Sequence, residues 1–284
     1  MYYNQRILIE QANEFDNHFS YTLGYQYVRE TPAGNLIFNN TDYSSGINNP
    51  THIEFSEPYF ILRYAPHEQF YQGKLYRSSI ANGYPVFQLQ ANFGLKFLQD
   101  DYDYQNIKFS LTKRFWFSVI GYSDIIFEAG KIFGKVSFPL LDIHRANQTY
   151  SYDVSSYNLM NFLEFVSDQY TSLNIDHCFN GFIFNKIPLF KRLRLREVAS
   201  LKLLYGSLSP INDPSKQSDL LKFPVNAQGQ ASTFTFNNGP YVEGSVGISN
   251  ILRFFRVDLV HRFTYLNNPG VSAWGIRVKG KFDF

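Results

Sequence analysis

The sequence predicts an all-β protein, an antiparallel transmembrane β-barrel of which about ten strands are visible and which extends beyond this chain. Three observations predict it. Aromatic residues make up 18% of the 284 positions, 29 of them Phe and 21 Tyr, while charged residues make up only 18%, against about 25% in soluble globular proteins. No run of apolar residues is long enough for a transmembrane helix. Apolar and polar residues alternate at period two along many segments, which marks strands with two unlike faces. A barrel wall reconciles the three. Lipid-facing and lumen-facing residues alternate along each strand, so mean hydropathy stays at -0.25 while aromatics stay abundant. A Tyr-rich soluble sandwich is the competing fold, because it too can be polar on one face.

In chain order, strands are expected at 18–30, 53–65, 84–98, 105–118, 121–133, 169–183, 196–207, 241–250, 255–265 and 273–284, with a less certain one near 5–12. In the first, Phe19, Tyr21, Leu23, Tyr25 and Tyr27 alternate with Ser20, Thr22, Gly24 and Gln26. In the third, Phe87, Leu89, Ala91, Phe93, Leu95 and Phe97 alternate with Gln88, Gln90, Asn92, Gly94 and Lys96. Ile107, Phe109 and Leu111 alternate with Lys108, Ser110 and Thr112 in the fourth, and Trp274, Ile276, Val278, Gly280, Phe282 and Phe284 form one face of the last. Many of these segments exceed the usual soluble strand and match the length needed to cross a tilted barrel wall.

Connection lengths add to this. Read back from the C-terminus, the gaps are 266–272, a short one from Asn250 to Phe254, a long one at 208–240, then 184–195, and the longest at 134–168. With the C-terminus on the periplasmic side, the longest gaps fall on the outer side, as in outer-membrane barrels. The segment 66–83 departs from this rule, as a long periplasmic turn. No repeat or composition shift divides the chain, so 1–284 reads as a single barrel region, the C-terminal part of a longer protein. Met1-Tyr2-Tyr3-Asn4-Gln5-Arg6 lacks the basic start and apolar core of a signal peptide; an exported protein needs one, so either the signal lies upstream and this chain is a fragment, or the membrane reading is wrong. The amphipathic last strand ends on Phe284 with Phe282 two places before it, resembling the signal read by the barrel-assembly machinery during biogenesis. The plainer reading is an ordinary edge strand. An exposed apolar edge would be an aggregation hazard in a soluble protein, and barrel closure removes it.

The chemistry-bearing residues are sparse. The net charge of +2 comes without the clustered basic face of a nucleic-acid binder, so no nucleic-acid partner is expected and outer-membrane lipid is. A single cysteine, Cys178, leaves no intramolecular disulfide and no cysteine zinc cage. There is no Gly-rich phosphate loop, His-Glu-x-x-His or Gly-x-Ser-x-Gly. The reading is therefore of a non-enzymatic protein with no cofactor and no metal. Asp176-His177-Cys178 invites a thiol-nucleophile or metal reading, but strand alternation sends His177 to the face opposite Asp176 and Cys178. The basic run Lys191-Arg192-Leu193-Arg194-Leu195-Arg196 lies in a turn, where it meets a partner domain or lipid head groups, or is simply solvated. A gap as long as 134–168 is uncommon unless it folds over something. One expectation is that it enters the lumen with Arg145 anchored on an inward carboxylate such as Glu128; the other is a surface loop with Arg145 solvated.

Several blocks carry a more specific resemblance. They are Tyr84-Pro85-Val86-Phe87, Asp101-Tyr102-Asp103-Tyr104, Glu128-Ala129-Gly130-Lys131-Ile132-Phe133-Gly134, His144-Arg145-Ala146-Asn147-Gln148-Thr149-Tyr150, Asn180-Gly181-Phe182 and Arg196-Glu197-Val198. Pro240-Tyr241-Val242-Glu243 and Asn250-Ile251-Leu252-Arg253-Phe254-Phe255-Arg256-Val257-Asp258 join them. Over roughly residues 50–284 the chain resembles a Bacteroidetes-type outer-membrane barrel family of unknown function whose members begin with a carboxypeptidase-regulatory-like domain. The resemblance implies a signal peptide, that small sandwich domain and a long barrel region, of which this chain matches the C-terminal portion. It implies no peptidase activity and carries over no catalytic residue. A more distant likeness is to BamA-like barrels of sixteen strands, where a long loop between the eleventh and twelfth strands folds inward and places an arginine in the lumen. Counted back from Phe284, 134–168 falls at that position and Arg145 is the corresponding arginine, although the usual Arg-Gly-aromatic motif is absent. On that count five or six strands lie upstream of Met1.

The function expected is that of a Gram-negative outer-membrane barrel in the export or assembly of surface proteins. The rivals are an uptake channel or receptor-coupled transporter, a membrane-embedded hydrolase, and a soluble β-rich binding protein.

Overall fold

The computed structural model describes residues 2–34, 38, 50–73, 77–80, 83–96, 102–226 and 228–280. Eleven strands form one sheet: β1 (Tyr2–Glu14), β2 (Phe19–Pro32), β3 (Ile53–Tyr64), β4 (Val86–Gly94), β5 (Tyr104–Trp116), β6 (Tyr122–Gly134), β7 (Gln169–Cys178), β8 (Arg196–Ser207), β9 (Tyr241–Ile251), β10 (Phe255–Arg262) and β11 (Trp274–Gly280). Each pairs antiparallel with the next in sequence, a continuous meander. The sheet does not close on itself among the described residues, since β1 and β11 are its two edges.

The less certain strand near 5–12 is present, as β1 of 13 residues, and brings the sheet to eleven strands. Several expectations are corrected. The strand expected to reach 183 stops at Cys178, where Asn180 and Gly181 take positive φ and turn the chain. The strand expected at 84–98 spans only Val86–Gly94. The gap 66–83 holds a small hairpin, Phe70–Gln72 with Arg77–Ser79, which gives a long turn its own backbone partners.

Sequential pairing places the connections after β1, β3, β5, β7 and β9 at one end of the sheet, the turn end. The connections after β2, β4, β6, β8 and β10 lie at the other, the loop end. The turn from β9 to β10 is the tightest, with a register irregularity between Ile248 and Ile251 and positive φ at Asn250, Leu252 and Arg253. Both long connections, 135–168 and 208–240, are at the loop end.

The two faces of the sheet differ in kind. Register puts Gln26 opposite Glu57, Gln90 opposite Lys108, Lys202 opposite Glu243 and Glu243 opposite Arg262, all on the inner face. Gln26, Glu57, Asn174, Lys202, Glu243, Asp258 and Arg262 on that face are buried. On the outer face Leu23, Tyr25, Leu201, Tyr205, Val246, Leu259, Ile276 and Val278 are exposed. A soluble sandwich has the opposite order, because burying the apolar face is what drives two sheets together. The inner surface also pairs glycine with tyrosine. The ring of Tyr170 lies where a Cβ on Gly130 would sit, and Tyr59 over Gly24 and Tyr104 over Gly94 repeat the arrangement.

The two apolar clusters sit at the loop end. One gathers Val28, Phe55, Tyr104, Ile132, Phe138, Leu141 and Val166; the other gathers Tyr157, Met160, Phe165, Leu204, Phe236 and Tyr241. Both are built largely from the long loops packing on strand ends, so the loops are the part of this chain that the hydrophobic effect holds in place.

Candidate functional site

The site is the connection 135–168 and the inner wall that holds it. A 3-10 turn at Phe138–Leu140 buries Phe138, and Asp142–Ile143 pairs with Val166–Ser167, so the connection closes at its base as a compact loop. Its tip is tied by its own polar side chains. Asn147 Nδ2 donates to Ser151 O at 2.6 Å and to Asn158 Oδ1 at 2.7 Å. Asp153 accepts from Ser155 N at 2.9 Å and Ser156 Oγ at 2.5 Å. Burial alone would raise the Asp153 carboxyl, but these hydrogen bonds and Lys202 outweigh it and hold it below the usual range. The strong turn propensity of Asn, Asp and Ser is what makes such a tip self-supporting.

Inner-wall side chains of β8, β9, β10 and β11 then grip the loop. The Glu243 carboxylate on β9 accepts from the backbone N–H of Asn158 at 2.8 Å and of Leu159 at 2.9 Å, and from the Tyr241 hydroxyl at 3.0 Å. Lys202 on β8 donates to the carbonyls of Asp153 and Ser156 and sits 4.0 Å from Glu243. Arg262 on β10 makes a bidentate pair with Glu164 at 2.9 and 2.6 Å and donates to Tyr265 O at 2.9 Å. Arg277 on β11 donates to Asn158 O. Tyr152 lies under the guanidinium of Arg256, 4.3 Å from its ring centroid, and that guanidinium is locked by Asp176 at 2.7 Å and Asp258 at 2.7 Å. Lys202, Glu243, Arg262, Glu164 and Asp258 are buried with an opposite charge beside each, the condition for burying charge without prohibitive cost.

The loop also reaches the sheet edge. Val278 N donates to Tyr150 O at 2.9 Å and Tyr152 N to Val278 O at 3.0 Å, a parallel bridge on the outer side of β11. The second long connection locks on from above: Phe234 N donates to Glu164 O at 2.7 Å, and Phe165 stacks on Phe236 at 4.8 Å. Asp168 accepts from Ser209 N and Asn212 Nδ2, both at 2.9 Å.

Beneath the loop lies a cavity of about 390 Å³ whose lining includes Gln88, Gln90, Lys108, Glu128, Asp142 and Arg145. Lys108 Nζ is 2.5 Å from Asp142. Burial pushes the Asp142 carboxyl upward, with Lys108 opposing. His144 is neutral, because burial, with Lys108 and Arg145 nearby, lowers its pKa to about 3. Asp142 Oδ2, Ser172 Oγ and Asn174 Oδ1 are buried in the wall of this cavity without a hydrogen-bond partner among the described residues.

The residues singled out by sequence are placed as follows. Arg145 and Glu128 are brought together as an ion pair, though Arg145 is 54% exposed and Glu128 21%. The more enclosed pair is one the sequence reading missed: Arg262 at 0% and Glu164 at 1%, 98 residues apart. Asp176 faces inward to Arg256, whereas His177 takes the outer face, with Nδ1 2.7 Å from Ser123 Oγ and Nε2 2.9 Å from Ile120 O. Phe282 and Phe284 lie outside the described residues. Among the described residues no three of His, Cys, Asp and Glu converge closely enough to hold a metal ion.

Residues 1–210 match the family model described as the C-terminal domain of a family of unknown function, DUF5686. No curated protein matches the sequence. Among solved structures, the crystal structure of BamA from Haemophilus ducreyi lacking POTRA domains 1-3 is similar, with a TM-score of 0.53 at 10% identity. The alignment covers 98% of this chain and 54% of that one, so this chain spans about half its length. At that identity the likeness is one of fold.

Proposed function

This chain belongs to the DUF5686 family through its C-terminal domain, and on that premise we propose that it forms part of the wall of a Gram-negative outer-membrane β-barrel. It is a non-enzymatic barrel that works in the export or assembly of surface proteins, with 135–168 as the element that closes its lumen. One observation carries this reading: the sheet keeps charged and amide side chains inside and presents Leu23, Tyr205, Val246, Leu259 and Ile276 outside. In water so large an apolar surface would drive association; against lipid it is at its lowest free energy. The closing role is supported by the buried grips on the loop, Glu243 on backbone N–H groups and Arg262 on Glu164.

The test uses the full-length protein in its own cells with Cys178→Ser as background. Single cysteines at Val246 and Leu259 should react with a lipid-soluble maleimide and resist a charged one. Cysteines at Gln90 and Ser110 should show the opposite preference. Recovery of the protein in the soluble fraction, or equal labelling of all four by the charged reagent, would overturn the reading. The export role is checked by the surface proteome of a deletion strain, which should lose specific surface proteins. A second reading, passage of small solutes, is favoured by the polar cavities of about 390 and 430 Å³ along the inner wall. An unchanged surface proteome with lost solute uptake would select it.

A further inference from the structure

The turn from β7 to β8 concentrates cations. Between Asp176 and Glu197 there is no acidic residue, but there are Lys186, Lys191, Arg192, Arg194 and Arg196. The same stretch carries Phe182, Ile183, Ile187, Leu189 and Leu193, all exposed. We propose that this turn is an interfacial anchor, laid against the anionic headgroups of the membrane leaflet at the turn end, with its aliphatic side chains at the acyl boundary. The inference rests on the barrel reading above and adds to it a specific lipid-surface contact.

Three features of the turn point to a lipid surface. It is ordered rather than loose. Pro188 opens a short helix, Pro188–Arg192, where its missing N–H costs nothing. Arg194 then takes φ 55°, Arg194 N donates to Lys191 O at 3.1 Å and Leu195 N to Phe190 O at 3.1 Å, the closed C-terminal cap that fixes the exit of the chain. Phe184 and Phe190 pack together at 4.7 Å, and Arg196 Nη1 holds Asn180 O at 2.9 Å. So Leu189 and Leu193 are held outward on a rigid element.

The turn is also continuous with the outer face of the sheet. Glu197 shares that face with Leu201 and Tyr205, and its carboxylate accepts from Ile183 N at 2.7 Å and from Phe184 N. This folds the turn back along the outside of β8 rather than under the lumen. Neighbouring turns repeat the composition. Trp116 at the end of β5 and Phe117 and Val119 after it are exposed, as are Leu252, Arg253 and Phe254 after β9. The turns after β5, β7 and β9 expose apolar side chains, and the latter two basic ones, with no acid among them, which matches a membrane interface, where aromatic and aliphatic groups enter and cations stay at the headgroups. Each cation near an anionic surface contributes about fivefold in local partitioning.

The experiment places a fluorescent nitrobenzoxadiazole label on Leu189→Cys in the Cys178→Ser full-length protein, reconstituted into vesicles. One set is pure phosphatidylcholine and one contains phosphatidylglycerol. Lipids with a shallow nitroxide should quench the label, more strongly with phosphatidylglycerol, and Lys191→Glu with Arg192→Glu and Arg194→Glu should remove that difference. A second label at Val246→Cys reports the barrel wall and should be quenched by deep nitroxides in both sets. An unquenched label at 189 with a quenched one at 246 overturns the anchor and leaves the barrel reading intact. Quenching at 189 that ignores both headgroup charge and the charge-reversal variant also overturns it. Two unquenched labels overturn the barrel reading itself. Shielding of the 189 label in native outer membranes but not in vesicles assigns the surface to a protein partner and overturns the lipid assignment.

Discussion

Replacing Glu243 with Gln should open the loop 135–168. In the native protein its carboxylate accepts from Asn158 N, Leu159 N and Tyr241 Oη and faces Lys202 across 4.0 Å, with Lys202 and Glu243 both 1% exposed. The amide has a single acceptor oxygen for these donors and carries no charge, so a backbone N–H loses its partner and the Lys202 ammonium its counter-charge. Removing one member of a buried pair costs about 3–5 kcal/mol. The lower end applies because Lys202 keeps its hydrogen bonds to the carbonyls of Asp153 and Ser156, and about 3 kcal/mol is about a hundredfold in an opening equilibrium. Hydrogen exchange of the segment 153–165 in nanodiscs reads that equilibrium. Exchange should rise about a hundredfold in Glu243→Gln, and adding Lys202→Met should recover part of it by removing the stranded charge. If Glu243→Gln and Glu243→Ala both exchange like the wild type, the grip on the loop is not Glu243 and the account of the site fails.

Three further outcomes are expected. Arg262→Ala should raise cleavage of 135–168 by external protease far more than Arg145→Ala. The fully buried Arg262–Glu164 pair is worth about 3–5 kcal/mol on truncation, whereas the half-exposed Arg145 pair is worth less than about 1 kcal/mol; the reverse order would refute the ranking. His144 carries a pKa of about 3 against an unfolded value of 6.5, so its contribution is whole above 6.5 and is lost as pH falls toward 3. Stability from urea midpoints should drop by about 1.4 kcal/mol per pH unit through that window, and His144→Gln should flatten the slope, an unchanged slope counting against burial. Finally, Leu89→Arg on the outer face should cost ~2–4 kcal/mol in a lipid folding titration, while Gln90→Arg on the inner face should cost much less, so equal costs would contradict the assignment of faces.

Much of the wall is readable from residues alone. Period-two alternation is a local property, so Phe87, Leu89, Ala91 and Phe93 identify a strand without knowledge of its neighbours, and gap lengths rank 134–168 and 208–240 as the large loops. β1 is harder to read than the others because Asn4, Gln5, Arg6, Glu10 and Gln11 dilute its alternation; pairing with β2 along its whole length makes it a strand. Alternation alone leaves open which face is buried, since a strand with one apolar and one polar face serves a sandwich or a barrel wall equally well. The tertiary arrangement decides it by curling the polar face inward, where Lys202, Glu243 and Arg262 meet the loop. The ion pairs of the site follow the same logic. Arg145 and Glu128 are 17 residues apart and could be matched by inspection, but Glu243 and Asn158 are 85 apart and Arg262 and Glu164 are 98 apart. Such partners are set by register across several strands and by the path of a loop. Each charge is interchangeable with many others until the fold has removed it from water, and only then does the energy of an unpaired buried charge single out one partner.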